Sequence, residues 1–231
     1  YIRKYRDEII VIKYGGNVFI ERKIFNNFIN DLTILYKLGL CVVVVHGGGP
    51  RIKRELEKKK IVSKFINGLR VTDKNIIDTV EEVLIDFNND IVNSLKKLGS
   101  EAASFHTKTK NIIEVEPERE ELGFVGTPNN INDNLIQNAL NENKIPIIAP
   151  LGLGKGNQTY NINGDTAASA IAKKLKSRRL ILMTNVEGVY DDQKKLISEI
   201  KPFDLENLIK WKVVHGGMIP KIENCVDAVQ N

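Results

Sequence analysis

The chain has 231 residues, of which 42% are hydrophobic and 27% charged, and its formal net charge is +5. This length and composition are typical of a globular protein with one or two domains, and no apolar run is long enough for a membrane-spanning helix. The basic clusters are short, scattered and not interleaved with aromatic residues, which disfavours nucleic-acid binding. The two cysteines, Cys41 and Cys225, make no disulfide framework and indicate a reducing compartment.

Apolar strand-like runs alternate with helical patterns along the chain. A strand at 9–14 precedes a helix at 24–38, and a strand at 41–46 precedes a helix that opens at Pro50. The pattern continues with a helix at 73–98, strands at 101–105 and 112–116, a turn-rich hairpin at 123–131, a helix at 134–143, a strand at 145–150, a helix at 165–176, strands at 180–184 and 198–200, and a helix at 204–210. This alternation predicts an α/β fold with a largely parallel sheet.

Three of the predicted strands run directly into turns that carry glycine. The glycines of these turns are Gly15 and Gly16, Gly47 to Gly49, and Gly188. Glycine at a strand end lets the backbone approach a ligand and present its N–H groups, and a helix that starts there attracts anions. The three turns together predict a site for a highly charged anion at one edge of the sheet.

Other phosphate and metal motifs are not found in the sequence. There is no P-loop signature, and the glycines at 152–156 lack the spacing of a dinucleotide-binding fingerprint. The three histidines are far apart and lack zinc-ligand spacing, so that each is interpreted from its local sequence as a structural residue. No metal site is predicted.

Six segments, taken together, resemble the N-acetyl-L-glutamate kinases of the amino-acid kinase family. They are KYGGN at 13–17, HGGGP at 46–50, NGLRVTD at 67–73, LGFVG at 122–126, YNINGDTA at 160–167 and GGMIPK at 216–221. HGGGP alone indicates only the superfamily, whereas GLRVTD and GGMIPK are specific for these kinases. The resemblance covers essentially the whole chain and implies a three-layer αβα fold around a central, mostly parallel sheet.

The resemblance also implies an activity, which is the phosphorylation of the side-chain carboxylate of N-acetyl-L-glutamate to N-acetylglutamyl 5-phosphate. The phosphoryl donor would be ATP, with Mg²⁺ carried by the nucleotide, and the reaction is the second step of arginine biosynthesis. A carboxylate acceptor is already ionised near neutral pH and needs no general base. The protein would therefore supply positioning and cationic stabilisation of the transferring group.

The matching motifs imply roles for individual residues. Lys13 and Lys221 would stabilise the transferring phosphoryl group as catalytic residues, with Asp165 between them to orient both. Substrate binding would involve the N–H groups of Gly48 and Gly49, a bidentate contact from Arg70 and a hydrogen bond from Asn161. The residues that map onto the nucleotide site are Gly15, Gly16, Asn185, Gly188, Tyr190, Val213 and His215.

Each of these residues also has an ordinary structural interpretation. Lys13 could be an edge lysine that reaches solvent, and Asp165 could cap the following helix, a role compatible with catalysis. The sequence departs from the family at Asn185, where aspartate is usual, at Gly164, where alanine is usual, and at 106–110. The loss of charge at Asn185 puts nucleotide affinity in question more than catalysis.

The expected organisation is an acetylglutamate-binding and subunit-contact part at 1–174 and a nucleotide-binding part at 175–231. The second part is expected to be incomplete, because the kinases that the chain resembles continue further. The segment 1–8 resembles one found in hexameric, arginine-inhibited members, which suggests a homo-oligomer, arginine feedback and a PII-type signalling partner. Neither nucleic acid nor a membrane is expected as a partner, and the compartment would be the cytoplasm or the plastid stroma.

Two alternatives remain open. Aspartokinase, glutamate 5-kinase and UMP kinase share the fold, although the motifs around Arg70 and at 216–221 disfavour them. A non-catalytic arginine-sensing or partner-binding module on the same scaffold is disfavoured by the presence of Lys13, Asp165 and Lys221.

Overall fold

A computed structural model describes residues 8–15, 22–191, 193–216 and 218–229. The strands are β1 (Ile9–Tyr14), β2 (Cys41–His46), β3 (Phe65–Ile66), β4 (Leu69–Arg70), β5 (Ala102–Phe105), β6 (Ile113–Pro117), β7 (Gly126–Ile131), β8 (Ile145–Ile148), β9 (Leu151–Leu153), β10 (Thr159–Asn161) and β11 (Arg179–Leu182). The helices are α1 (Arg22–Lys37), α2 (Gly49–Lys58), α3 (Lys74–Lys97), α4 (Asp133–Asn141), α5 (Gly164–Lys174), α6 (Leu205–Lys210) and α7 (Met218–Val229). None of the helices in this part of the chain has the length and apolar character needed to cross a membrane.

The main sheet has five strands in the order β11-β1-β2-β8-β5, and all neighbouring pairs are parallel. Its strands are short β-branched runs with buried residues on both faces, as expected for a parallel sheet covered by helices. Because the strands are parallel, their carboxyl ends lie at one edge, where the glycine turns after β1 and β2 also lie.

Helices cover both faces of this sheet. On one face, Val11 and Val43 share an apolar cluster with residues of α4 and α5. On the other face, Ile10 and Val42 share a cluster with residues of α1 and α3. Neighbouring residues of a strand point to opposite faces of the sheet. Each strand therefore packs against helices on both faces, which gives three layers. The predicted three-layer αβα fold with a mostly parallel central sheet is confirmed.

A second sheet and a small hairpin were not predicted. The second sheet has four strands in the order β10-β9-β6-β7, and β6 and β7 form an antiparallel pair. The prediction of a hairpin within 123–131 is wrong, because residues 126–131 form the single strand β7, whose antiparallel partner β6 is the strand predicted at 112–116. β3 and β4 form a two-stranded antiparallel hairpin. These elements matter for function because β4 ends in Arg70 and β10 ends in Asn161.

Two further sequence predictions need correction, and one helix was missed. Residues 198–200 form no strand, and the nearby pairing is a single bridge between Tyr190 and Leu196. α7 was not predicted as a helix.

The cap of α5 is Asn163, whose side-chain oxygen accepts from the N–H groups of Asp165 at 2.9 Å and Thr166 at 3.2 Å. Asp165 therefore lies in the first turn of the helix, and its carboxylate is available for other partners.

Candidate active site

The carboxyl ends of β1 and β2 bring two sequence motifs together. In the parallel register Lys13 lies opposite Val45 and Tyr14 opposite His46, and the N–H of Gly47 then donates to the carbonyl of Tyr14 at 2.7 Å. The two glycine turns consequently start side by side. Ligands of open α/β sheets bind at this kind of edge.

Lys13, Asp165 and Lys221 form one charged cluster. Lys13 is two residues after Val11, so its side chain lies on the α5 side of the sheet, where Asp165 occupies the first turn of α5. Lys13 Nζ lies 2.8 Å from Asp165 Oδ1, and Lys221 Nζ, on α7, donates to Asp165 Oδ2 at 2.7 Å. One carboxylate thus holds two ammonium groups that are far apart in the sequence.

The electrostatics of this cluster favour an additional anion. The side chains of Lys13, Asp165 and Lys221 are 10%, 13% and 22% exposed. Burial alone would raise the pKa of the Asp165 carboxyl, but the charges and hydrogen bonds of the two lysines outweigh burial and hold the pKa below its usual value. The cluster therefore carries two positive charges and one negative charge, a combination that attracts a phosphoryl group.

Glycines make room for the Lys13 side chain. A side chain at Gly15 would collide with the Nζ of Lys13, and a Cβ at Gly164 would lie 3.2 Å from its Cε. Gly15 thus adjoins the charged cluster, while Gly16, predicted with it, lies outside the described residues. Gly164 thus avoids a tight contact with the lysine, which the sequence alone did not indicate.

A cavity of about 260 Å³ opens next to this cluster. It brings together Lys13 and the four residues predicted to bind substrate, which are Gly48, Gly49, Arg70 and Asn161. Within the part of the chain that the structure describes, no acidic residue lines it. An adjoining cavity of about 550 Å³ shares Gly68 and Val125 with the first and is lined by Asp165 and Lys221.

Arg70 is a buried cation at the wall of the smaller cavity. Its Nη1 donates to the Ser63 hydroxyl, its Nη2 donates to the Gly49 carbonyl at 3.3 Å, and its guanidinium lies 4.7 Å from the ring centroid of Phe65. No ion pair among the described residues involves Arg70. Since these two bonds use two of the five guanidinium N–H donors, Arg70 can still bind a carboxylate.

Asn161 is oriented by a short chain of hydrogen bonds. Its Nδ2 donates to the Thr72 hydroxyl at 3.3 Å, and that hydroxyl donates to the Arg70 carbonyl at 2.9 Å. The main-chain N–H of Asn161 donates to the carbonyl of Phe124 at 2.9 Å. These contacts connect β10 to β4 and to the loop before β7.

A separate cavity of about 340 Å³ contains most of the residues predicted for the nucleotide. Gly188, Tyr190, Val213 and His215 line it together with Met218, the first residue of α7. Asn185 is exposed and is not one of its lining residues. Lys221 follows Met218 by three residues, about 4.5 Å of helix rise. The start of α7 therefore connects this cavity to the charged cluster.

Several residues that shape the site were not predicted for it. Ser63 and Phe65 hold Arg70 from a hairpin of two-residue strands, which is too short to give a sequence pattern. Asn88 contacts His46 from the middle of α3, and its only signal in the sequence is that its helical spacing places it with Leu84 and Ile91 on the apolar face. A buried polar residue needs hydrogen-bond partners, and that rule could have drawn attention to Asn88.

Comparisons with known proteins agree with this geometry. Residues 8–231 match the model of the amino acid kinase family. A solved structure from Streptococcus mutans UA159, smu.665, superposes with a TM-score of 0.87 at 33% identity, covering 96% of this chain and 90% of that one. The chain belongs to the amino acid kinase family.

Within that family the chain is similar to acetylglutamate kinases. It is 51% identical to the acetylglutamate kinase of Pelagibacter ubique, over 100% of this chain and 80% of that protein. It is 42% identical to the acetylglutamate kinase of Campylobacter fetus, over 100% of this chain and 83% of that protein. The resemblance inferred from the six sequence segments is confirmed.

Proposed function

We propose that this protein is an acetylglutamate kinase, which transfers the γ-phosphoryl group of ATP to the side-chain carboxylate of N-acetyl-L-glutamate. The observation that carries the proposal is the charge of the smaller cavity, which contains the cations Lys13 and Arg70 and no acidic lining residue among those described. Such a cavity suits a dicarboxylate. A free amino acid would bring an ammonium group without a counter-charge, whereas an N-acetylated amino group is neutral.

The acceptor would bind by its two carboxylates. Arg70, which has no acidic partner among the described residues, would bind one of them through its remaining donors. The other, the nucleophile, would lie beside Lys13 and the N–H groups of Gly48 and Gly49. Neither of these N–H groups donates to another described residue, so both are available to an anion at the start of α2.

The transfer itself would depend on Lys13, Asp165 and Lys221. Negative charge on the oxygens of the transferring group is stabilised by ammonium groups that are already in place before the reaction. Asp165 holds both ammonium groups through separate carboxylate oxygens, so their spacing is fixed before substrate binds. Exclusion of water from this buried site would strengthen these interactions.

The nucleotide would occupy the cavity lined by Gly188, Tyr190, Val213 and His215, with its phosphates directed along the first turn of α7 toward Lys221. Mg²⁺ would be carried by these phosphates. No group of three His, Cys, Asp or Glu side chains within the described ranges is close enough to hold a metal ion. Asn185, exposed and outside the cavity lining, would contribute little to nucleotide affinity.

The proposed division into parts at 1–174 and 175–231 is supported by a small apolar cluster around Leu205, Val214 and Ile222, separate from the clusters of the main sheet. The main sheet nevertheless extends past the boundary, because β11 pairs with β1.

The homo-oligomer, arginine feedback, PII-type partner and cytoplasmic or plastid location stay proposals. Size-exclusion chromatography tests the homo-oligomer, and initial rates of ATP turnover with and without L-arginine test the feedback.

Turnover of ATP by the full-length protein with three acceptors tests the function. N-acetyl-L-glutamate is expected to give a kcat/KM at least about 100-fold above that of L-glutamate or L-aspartate, because an unpaired buried ammonium group costs several kcal/mol. Equal or faster turnover of either free amino acid would refute the proposal.

A further inference from the structure

A buried polar network lies beneath the second glycine turn, outside the residues that the proposed mechanism uses. His46 and Asn88 are both fully buried. The Nδ1 of His46 lies 2.8 Å from the Gly47 carbonyl oxygen, and its Nε2 lies 3.2 Å from the Nδ2 of Asn88. The network connects α3 to the turn after β2.

The contacts of Asn88 determine which ring nitrogen of His46 carries the proton. Asn88 Nδ2 donates to the carbonyl of Ile147 at 2.9 Å, and its Oδ1 accepts from the Ser104 hydroxyl at 2.6 Å. A carbonyl can only accept, so the amide nitrogen must face it, and the second amide hydrogen then points toward His46 Nε2. Nε2 is therefore the acceptor, and the proton is on Nδ1, from which it is donated to Gly47.

The surroundings of His46 keep the ring in this neutral form. Burial lowers the pKa of His46 to about 4 and outweighs the hydrogen bond to Gly47, which raises it, while the nearby Arg51 and His106 lower it further. The ring packs edge-on against Phe87, with 5.0 Å between the centroids. Near neutral pH a single neutral tautomer is consequently fixed by packing and by Asn88.

The contact with Gly47 has a geometric consequence for Gly48. The carbonyl that accepts from His46 belongs to the Gly47–Gly48 peptide, and no cis peptide occurs among the described residues. In a trans peptide the C=O and N–H point in opposite directions, so an anchored carbonyl fixes the direction of the Gly48 N–H. Gly48 lines the same cavity as Lys13, and its N–H has no partner among the described residues.

We propose that His46 and Asn88 are positioning residues, which hold the Gly47–Gly48 peptide so that the Gly48 N–H points at the reacting groups in the cavity. Two glycines in sequence would otherwise let this peptide rotate. The inference rests on the proposed function and extends it, since neither residue touches the substrate.

The principal test is His46→Phe, which keeps a planar ring against Phe87 but cannot donate to Gly47. Loss of one preorganised donor costs about 100- to 1000-fold in turnover, and a donor that is misdirected is expected to cost at least about tenfold. We expect kcat with ATP and N-acetyl-L-glutamate to fall by at least about tenfold. The KM for ATP should stay within about twofold of the wild-type value. Thr33→Val, which removes the buried hydrogen bond from Thr33 to Ile29, is the matched control and should leave kcat unchanged.

A second variant, Asn88→Leu, retains His46 and provides a test if His46→Phe does not fold. Without Asn88 the ring can exchange tautomers, so ¹⁵N NMR of the histidines should show Nδ1–H for His46 in the wild type and a mixture in the variant, with a smaller loss of kcat. A folded His46→Phe or Asn88→Leu protein with wild-type kcat, or an Nε2–H tautomer in the wild type, would overturn the inference. An inactive wild type would instead refute the proposed function.

Discussion

Asp165 is the residue on which the other two charged groups of the site depend. Lys13→Ala and Lys221→Ala are each expected to lower turnover by about 100- to 1000-fold, because in the proposed mechanism each lysine is a cation that stabilises charge in the transition state. Asp165→Asn should also lower turnover. The Lys13→Ala/Asp165→Asn double variant should lose far less than the product of the single effects, since these residues act as a unit.

The control for this series is Lys173→Ala. Lys173 pairs with Asp227 at 3.1 Å across the same two helices, α5 and α7, but on the exposed surface. The kcat of the Lys173→Ala variant should stay within about twofold of the wild-type value, because exposed ion pairs contribute little to stability. Near-wild-type turnover by Lys13→Ala, measured by initial rates at saturating substrates, would show that the cluster does not carry the transfer.

Arg70 is expected to act on the acceptor rather than on the nucleotide. Arg70→Lys keeps the charge but loses the planar guanidinium that can bind a carboxylate through two parallel hydrogen bonds. The KM for N-acetyl-L-glutamate should rise by about tenfold or more, and the KM for ATP should change little. Arg54→Lys, on the exposed face of α2, is the control. Equal effects on both KM values would remove Arg70 from the acceptor site.

His46 should make the stability of the protein depend on pH. Its folded-state pKa of about 4 lies below the ordinary value of about 6.5, so its contribution to stability is complete above 6.5 and is lost as the pH falls toward 4. The free energy of unfolding should decrease by about 3 kcal/mol over this window through this residue. Urea titrations at several pH values give the free energy of unfolding of the wild type and of His46→Phe, and the difference between the two isolates the contribution of His46. A difference that does not change with pH would mean that the buried ring is not kept neutral.

The elements of the fold differ in how much of them can be predicted from the sequence. β1, β2 and β8 are short apolar runs rich in β-branched residues, and this composition was sufficient to predict them. β3, β4, β9 and β10 have two or three residues each and depend on tertiary contacts, so they left no pattern. Residues 198–200 were wrongly predicted as a strand, because three residues with one apolar side chain are too few to specify one.

The start of α5 shows a similar limit. Local sequence favoured Asp165 as the cap, but Asn163, two residues earlier, has the extended backbone and side-chain contacts of that position. The choice between the two candidate capping residues depends on where the helix begins, and the local sequence does not specify that boundary. The released Asp165 carboxylate is what makes the charged cluster possible.

A pair of cap variants tests this assignment. Asn163→Ala removes a side chain that accepts from two N–H groups and should lower the free energy of unfolding by about 1 kcal/mol. Asn132 occupies the cap position of α4 without a side-chain hydrogen bond to the helix, so Asn132→Ala should cost much less. Urea denaturation of both variants provides the comparison. Equal losses of unfolding free energy in the two variants would mean that the hydrogen bonds of the Asn163 side chain do not stabilise α5.

For the molecule as a whole, the site results from the strand order. Lys13, Asp165 and Lys221 come from three distant segments, and the motifs predicted their roles without giving their distances. The parallel pairing of β1 and β2, with α5 packed on one face, brings them within ion-pair distance at the carboxyl edge. The absence of acidic residues from the lining described for the smaller cavity is a property of the folded chain, and no single motif contains it.

Trapping of the product with hydroxylamine tests the central claim most directly. An acyl phosphate reacts with hydroxylamine to give a hydroxamate, whereas ADP and free phosphate do not. With ATP and N-acetyl-L-glutamate, the wild-type protein should form the N-acetylglutamyl hydroxamate in equal amount to ADP, and Lys13→Ala should form almost none. Release of ADP without hydroxamate, or equal hydroxamate from both proteins, would contradict phosphoryl transfer to the acceptor carboxylate at the Lys13–Asp165–Lys221 cluster.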